Sequence, residues 1–122
     1  MVAGTVSINV QSRHPAAAGK SYALAASPSR RPGLKLAGGE WLALDVTHPL
    51  FWLTAQNQAP GTFVNFRGVL DANGNNAKPV TIKIPTNLPK QNGLTIFVAG
   101  VIFDPASNRI IEVTNTHWCV LP

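Results

Sequence analysis

Few side chains in this chain of 122 residues are able to carry chemistry: the carboxylates Glu40, Asp45, Asp71, Asp104 and Glu112, the imidazoles His14, His48 and His117, and the thiol of Cys119. Acid–base hydrolysis needs paired carboxylates, or a nucleophile with a base and a group that orients it. Asp71 opens "DANGN" and Asp104 opens "DPASN", positions where a side-chain oxygen ordinarily caps the N–H groups of a turn. Glu40 and Asp45 stand an odd number of residues apart in one expected strand and so face opposite sides. His14 and His48 each precede a proline, which places them in extended or turn conformations. Only His117 and Cys119 share a strand face, two soft ligands where a structural zinc takes four. Asp71, Asn73 and Asn75 offer oxygens at alternate positions, as a calcium loop does, but without the distant bidentate Glu. The sequence predicts no enzyme, no metal and no cofactor, and reads Cys119 as a small buried hydrophobe.

Binding is the other chemistry on offer. Trp41, Trp52, Trp118 and Tyr22 are flat enough to stack on sugar rings, with Asn and Gln to serve the hydroxyls, but aromatic residues in β-proteins mostly belong to the core. The expectation is core for the set, with Trp52 in "HPLFWLTAQNQ" the exception, and Trp52, Gln56 and Asn57 the candidate ligand-binding group. The net charge is +5, yet the basic residues are scattered singly apart from Arg30 and Arg31, so no nucleic-acid partner is expected. Charged residues make up 12% of the chain, against about 25% in an average domain. A surface so poor in charge is easily desolvated, which suits packing against other subunits. The opening "MVAGTVSINVQ" has no basic region and no long apolar core, so it reads as neither a secretory signal nor a membrane span.

Period-2 patterns bounded by Gly, Pro and Asn recur along the chain, and no segment holds apolar residues at helical spacing for three turns. This predicts an all-β fold, a single antiparallel β-sandwich of about eight strands over 1–122. The strands fall near 4–11, 21–26, 40–46, 62–70, 78–84, 94–103, 109–114 and 116–121, with a short helix near 48–56. Asn73-Gly74 tolerates positive φ and closes a hairpin that pairs 62–70 with 78–84. "DPASN" makes a second hairpin turn, and Pro85 and Pro89 fit a crossover between sheets. In "GLTIFVAGVIFDP", Leu94, Ile96, Val98 and Ile102 point one way and Phe97, Ala99, Val101 and Phe103 the other, so this strand needs cover on both faces.

Residues 1–11 carry one apolar stripe, Val2, Val6, Ile8 and Val10, opposite a polar one. The 12–20 segment reads as a linker, which lets the strand fold back on its own sheet or reach the open edge of a neighbour. Val2, Val6, Ile8 and Val10 are therefore the candidate assembly residues.

The stretch "YALAASPSRRPGLKLAGGEWLALD", then "FRGVLDANGNNAKPVTIKIPTNLPKQNGLTIFVAGVIFDPASN" and the closing "VTNT", resembles the C-terminal β-sandwich module of large secreted planctomycete and myxobacterial proteins. In that family a "GxLDAxG" turn, an "IP" pair and a "GLxxxxQAxVxD" strand recur in order, and here Ala99-Gly100 stands in place of Gln-Ala. The resemblance covers roughly residues 20 to 116 and implies an extracellular, non-catalytic module. Joined to the low charge, it leads to the expectation of a structural subunit that self-assembles as a filament, surface-layer or lattice component. The alternatives are a carbohydrate or cell-surface binding module, with a cell-surface glycan as partner, and a virion protein that decorates a capsid protein or belongs to a tail.

Overall fold

The computed structural model describes residues 5–12, 14–36, 38–83 and 95–120. Among these residues there are ten strands: β1 (Thr5–Ile8), β2 (Ser21–Ser27), β3 (Leu34–Lys35), β4 (Trp41–Leu42), β5 (Phe63–Val64), β6 (Arg67–Val69), β7 (Val80–Lys83), β8 (Thr95–Asp104), β9 (Arg109–Val113) and β10 (His117–Val120). One helix, α1 (Pro49–Ala55), sits between β4 and β5. All pairings are antiparallel: β1-β7-β5 form one sheet, β10-β8-β2-β6 with β9 on β8 form a second, and β3-β4 form a two-stranded ribbon. The all-β expectation holds, while ten strands in three sheets replace the eight expected. The count rises because β3 carried no recognisable pattern and because the 62–70 strand is two strands. No helix among the described residues is long and apolar enough to cross a membrane.

Strand β8 is the long axis of the larger sheet. Along one side it pairs with β2 from Phe97 to Phe103. Along the other side it takes β9 at Val101–Asp104 and then β10 at Thr95–Val98, so that β9 and β10 share a single edge. Where that edge breaks, Thr114 bridges it: its N–H donates to the Gly100 carbonyl (2.9 Å) and its Oγ1 accepts from the Gly100 N–H (2.9 Å). Both faces of β8 are covered. Ile96, Val98 and Ile102 join Ile8, Val10, Phe63, Phe66, Val80 and Ile82 in the main core, which the two larger sheets share. Ala99 packs on the opposite face with Ala25, Leu42, Leu44 and Phe51, a smaller core supplied by α1 and the segment after β4. Leu94 lies outside the described residues.

The segment expected as one strand over 62–70 changes sheets midway. Phe63 and Val64 pair with Ile82 and Thr81 of β7, whereas Arg67–Val69 pair with β2 in the other sheet. Asn65 makes the turn with φ 59, a left-handed conformation that Asn tolerates better than most residues. Its Nδ2 donates to the Pro79 carbonyl (2.7 Å), and its own carbonyl accepts from the hydroxyl of the buried Tyr22 on β2 (2.7 Å). The corner is thus held by both sheets. Gly68 is required beside it, since a Cβ there would come within 2.7 Å of the Tyr22 hydroxyl oxygen. Edge-to-face contact between Phe63 and Phe66, 5.2 Å apart, fills the inside of the corner.

Helix α1 lies where β6 ends and leaves β2 without a ladder partner. Thr54, buried, accepts the Ala26 N–H on its Oγ1 (2.8 Å) and returns its own proton to a helix carbonyl, that of Leu50 (2.9 Å) or Phe51 (3.0 Å). Pro49 occupies the first turn, where a missing N–H is no loss, and the His48 Nδ1 caps the helix by accepting from the Leu50 N–H (3.0 Å). The expected 40–46 strand shrinks to Trp41–Leu42, because the Asp45 N–H donates to the Ser29 carbonyl and Ser27 Oγ, and the Leu44 N–H to the Leu42 carbonyl, rather than to a ladder. A turn forms at Asn73-Gly74, with φ +79 at Gly74, but the hairpin expected to pair 62–70 with 78–84 holds only for Phe63–Val64, since Arg67–Val69 pair with β2. The chain passes from one sheet to the other between Lys83 and Thr95, the place expected for a crossover, although Pro85 and Pro89 lie outside the described residues.

The N-terminal strand pairs within its own chain. Thr5–Ile8 lie against Val80–Lys83, and beyond them Val10 and Ser12 bond to Asn76 and Gly74. The 12–20 segment, expected to be a linker, contains two turns closed by Ala17 N–H to the His14 carbonyl (3.0 Å) and Lys20 N–H to the Ala17 carbonyl (3.0 Å). Ala17 is fully buried in the main core, which ties this segment to the body.

Two outcomes test this packing. Val98→Asp places an unpaired carboxylate at a 1%-exposed site, a cost of several kcal/mol that is comparable to the stability of a whole small domain; thermal melting should show an unfolded protein. Tyr22→Phe removes the bond that holds the Asn65 corner and should lower stability by about 1–2 kcal/mol in urea titration. An unchanged midpoint would mean that the corner does not need the hydroxyl.

Candidate functional site

The carboxylates are spent on local structure or stand apart from one another. Asp71 Oδ1 accepts from the N–H groups of Asn73 (2.8 Å) and Asn75 (3.0 Å), which closes the hairpin turn. Asp104 caps the second turn through the Ala106 N–H (3.1 Å) and lies 3.8 Å from Lys20 Nζ. The Thr47 hydroxyl, 2.5 Å from Asp45 Oδ1, holds that carboxyl below its ordinary range, helped by the Thr47 N–H. Glu40 and Asp45 do not share a strand. His14 repeats the device of His48, its Nδ1 accepting from the Ala16 N–H (3.1 Å), so both His-Pro pairs are turn formers. Burial pushes the Cys119 thiol up, away from thiolate chemistry. Among the described residues no three His, Cys, Asp or Glu side chains gather as a metal would require.

Trp41 and Trp118 overturn the expectation of core, whereas Tyr22 is buried and Trp52, the expected exception, is exposed. Trp41, Trp52 and Trp118 are 61%, 52% and 68% exposed. All three flank the smaller core: Trp41 adjoins Leu42, Trp52 stands edge-to-face with Phe51 at 5.1 Å, and Trp118 is the cross-strand partner of Phe97, which packs on that cluster. The physical reason is that this layer is thin. One short helix and one irregular segment cover the outer face of the larger sheet, so large rings beside them stay in water.

Trp52, Gln56 and Asn57 come together at the C-terminal end of α1, where the backbone of Asn57 ends the helix. Asn57 has φ 54; its N–H donates to the Thr54 carbonyl (3.0 Å), and the Gln58 N–H donates to the Leu53 carbonyl (2.9 Å). This is the paired closure of a Schellman turn, with Asn in the position glycine usually takes. The Gln56 side chain accepts from Gln58 Nε2 (3.0 Å). Of the candidate assembly residues, Ile8 and Val10 lie in the chain's own core, Val6 packs against it, and Val2 is outside the described residues.

The open features of the molecule lie elsewhere, along the side where β1 and the β9–β10 edge face each other. One cleft of about 250 Å³ is lined by Val6, Ile8, Val98, His117 and Cys119, with Trp118 at its rim. A second, of about 470 Å³, lies between Asn9–Ser12 and Glu112–His117. Next to them β10 is a terminal strand of its sheet, and its Trp118 and Val120 are both more than half exposed. On the opposite side the chain itself crosses between the sheets where β5 runs into β6, leaving a smaller cleft of about 180 Å³ lined by Tyr22, Asn65, Arg67 and Gly68. Sequence reasoning missed this side because its two walls come from opposite ends of the chain. It also missed Thr54 and Thr114, whose buried hydroxyls satisfy broken ladders and carry no local signature. No family model, curated protein or solved structure matches this chain.

The helix-ending role of Asn57 has a direct check. Asn57→Gly should leave the melting temperature unchanged or raised, and Asn57→Ala should cost about 1 kcal/mol through the left-handed backbone. Equal melting of the two variants would show that the conformation is not what the side chain serves.

Proposed function

We propose that the chain is a non-catalytic structural subunit, a β-sandwich module formed by its two larger sheets, that self-assembles into an extracellular or cell-surface filament or lattice. The observation that carries this reading is the edge strand β10. An exposed strand edge offers unpaired N–H and C=O groups to any other strand, and proteins that stay monomeric blunt it with Lys, Pro, bulges or a covering loop. Strand β10 has the sequence "HWCV", with no charged residue among its four, and it exposes Trp118 and Val120 on the same face. Tryptophan is enriched at the buried centres of interfaces, and three half-exposed rings in a chain with 12% charged residues support contact surfaces rather than a solvated exterior. The use of Asp71 and Asp104 as turn caps supports the non-catalytic part of the reading, and the motif resemblance to a secreted module agrees with it.

Two copies that meet antiparallel about Cys119 continue the larger sheet across the pair, with Trp118 of each covering Val120 of the other. Such a two-fold contact closes on itself. A second self-contact through the Trp41 and Trp52 surface links pairs into an open assembly. Edge addition takes precedence here over exchange of β1, because Ile8, Val10 and Ala17 are held in the core of their own chain.

Sedimentation and negative-stain microscopy at micromolar concentration should find large species for the parent, paired species for Trp41→Lys with Trp52→Lys, and no β10 pairing for Trp118→Lys with Val120→Lys. Mild oxidation of the parent should cross-link Cys119 to Cys119 of a second copy. A parent that sediments as a monomer and does not cross-link sinks the proposal.

A further inference from the structure

The larger of the two clefts on the open side is walled by polar side chains that the fold does not use. Asn9 and Gln11 come from the N-terminal segment, and Glu112, Asn115 and His117 come from the β9–β10 edge. Among the described residues, none of these five side chains makes a hydrogen bond to the rest of the protein, nor does Glu112 make an ion pair. The floor is different. Ser12 and Thr114 are buried with their hydroxyls already committed, Ser12 Oγ accepting from the His14 N–H (3.1 Å) and Thr114 Oγ1 bridging the Gly100 N–H and the Asn115 carbonyl. Beneath the cleft, Ser12 N–H donates to the Gly74 carbonyl (2.8 Å) and Thr114 N–H to the Gly100 carbonyl (2.9 Å), so both walls stand on ladders. Asn9, Gln11 and Asn115 are exposed, so their donors and acceptors face water on a hydrogen-bonded base and are free for a ligand.

From this geometry we infer that the cleft binds a neutral carbohydrate unit. Three side-chain amides, a carboxylate and an imidazole present donors and acceptors side by side, the arrangement that matches adjacent hydroxyls of a sugar, each of which both donates and accepts. The volume, about 470 Å³, lies within the range of roughly 300–1,000 Å³ typical of ligand sites. Among the described lining residues Glu112 is the only formally charged one, and its negative charge disfavours phosphate, sulfate or acidic sugars. Val113 is the only apolar residue among them, which leaves little to hold the side chains of a peptide. None of the described lining residues is aromatic, so their part in binding is hydrogen bonding and the affinity should be weak, in the millimolar range. The site is distinct from the helix-end group of Trp52, Gln56 and Asn57, and it does not depend on the self-assembly reading.

The test is titration calorimetry with neutral oligosaccharides of glucose, mannose, galactose and N-acetylglucosamine, beside a Thr-Val repeat peptide. It is run on the parent and on the assembly-blocked Trp118→Lys, Val120→Lys protein. At least one sugar series should bind both proteins, so that loss of assembly and loss of binding are read separately. Gln11→Ala with Asn115→Ala, both exposed sites whose backbone pairing survives the change, should melt like the parent and weaken binding roughly tenfold. Trp52→Ala should bind as the parent does. Absence of binding to every sugar, binding unchanged in the Gln11→Ala, Asn115→Ala protein, or binding of the peptide alone would overturn the inference. Immobilised and free forms of the sugar that binds then distinguish a surface glycan from a soluble ligand.

Discussion

Strand β8 carries apolar side chains on both faces, one fully buried and the other buried at Ala99 and partly exposed at Phe97, Val101 and Phe103, and most of the fold follows from covering them. Its Ile96, Val98 and Ile102 face demands a second sheet, supplied by β1, β7 and β5. The Ala99 face demands a lid, supplied by α1 and Leu42–Leu44. Small residues at the centre of β8 let the neighbours close in. A Cβ on Gly100 would collide with the Ala23 carbonyl, so β2 approaches there only because glycine is present. Burial of each large aliphatic side chain along the strand contributes about 1.5–3 kcal/mol, and their sum is what orders the segments around it.

The two sides of the core are closed by different means, and this asymmetry produces the functional surface. On one side the backbone itself crosses between sheets at Asn65 and Phe66, pinned by Tyr22 and Pro79. On the other side β1 and β9–β10 face each other with clefts between them. Hydroxyl groups repair the places where the ladder fails: Thr54 serves Ala26, and Thr114 serves Gly100. These repairs let α1 and the β9–β10 break exist without orphaned donors. The free edge, the exposed rings and the polar cleft are therefore consequences of one topology.

Much of the local structure was legible in the sequence because its causes are local. Alternation marked nine of the ten strands, though it gave β5 and β6 as one; Asn73-Gly74 and "DPASN" marked two turns, and the short helix expected near 48–56 is α1, whose His48 cap and first-turn Pro49 the structure shows. The expectation that β8 is covered twice needed only the pattern of its own residues. By contrast, the 62–70 segment reads as one strand, and only the structure reveals that φ changes sign at Asn65 and sends its two halves to different sheets. Asn57 illustrates the same ambiguity. An Asn after a helix suits a left-handed cap among other roles, and only the backbone bonds to the Thr54 and Leu53 carbonyls show that it is one.

What the sequence determined by itself is the all-β class, the turn positions and the need of β8 for two layers, since a period of two and the preferences of Gly, Pro and Asn act within a few residues. The tertiary structure alone decided which surface stays open. Trp41, Trp52 and Trp118 are exposed because the layer over Ala25 and Ala99 is too thin to cover them, a matter of how much chain folds over that face rather than of ring hydrophobicity. The cleft joins Asn9 and Gln11 to Glu112 and His117 because β1 and β10 end on the same side of one core. Pairing across the whole length of the chain set that arrangement, and no local signal carries it.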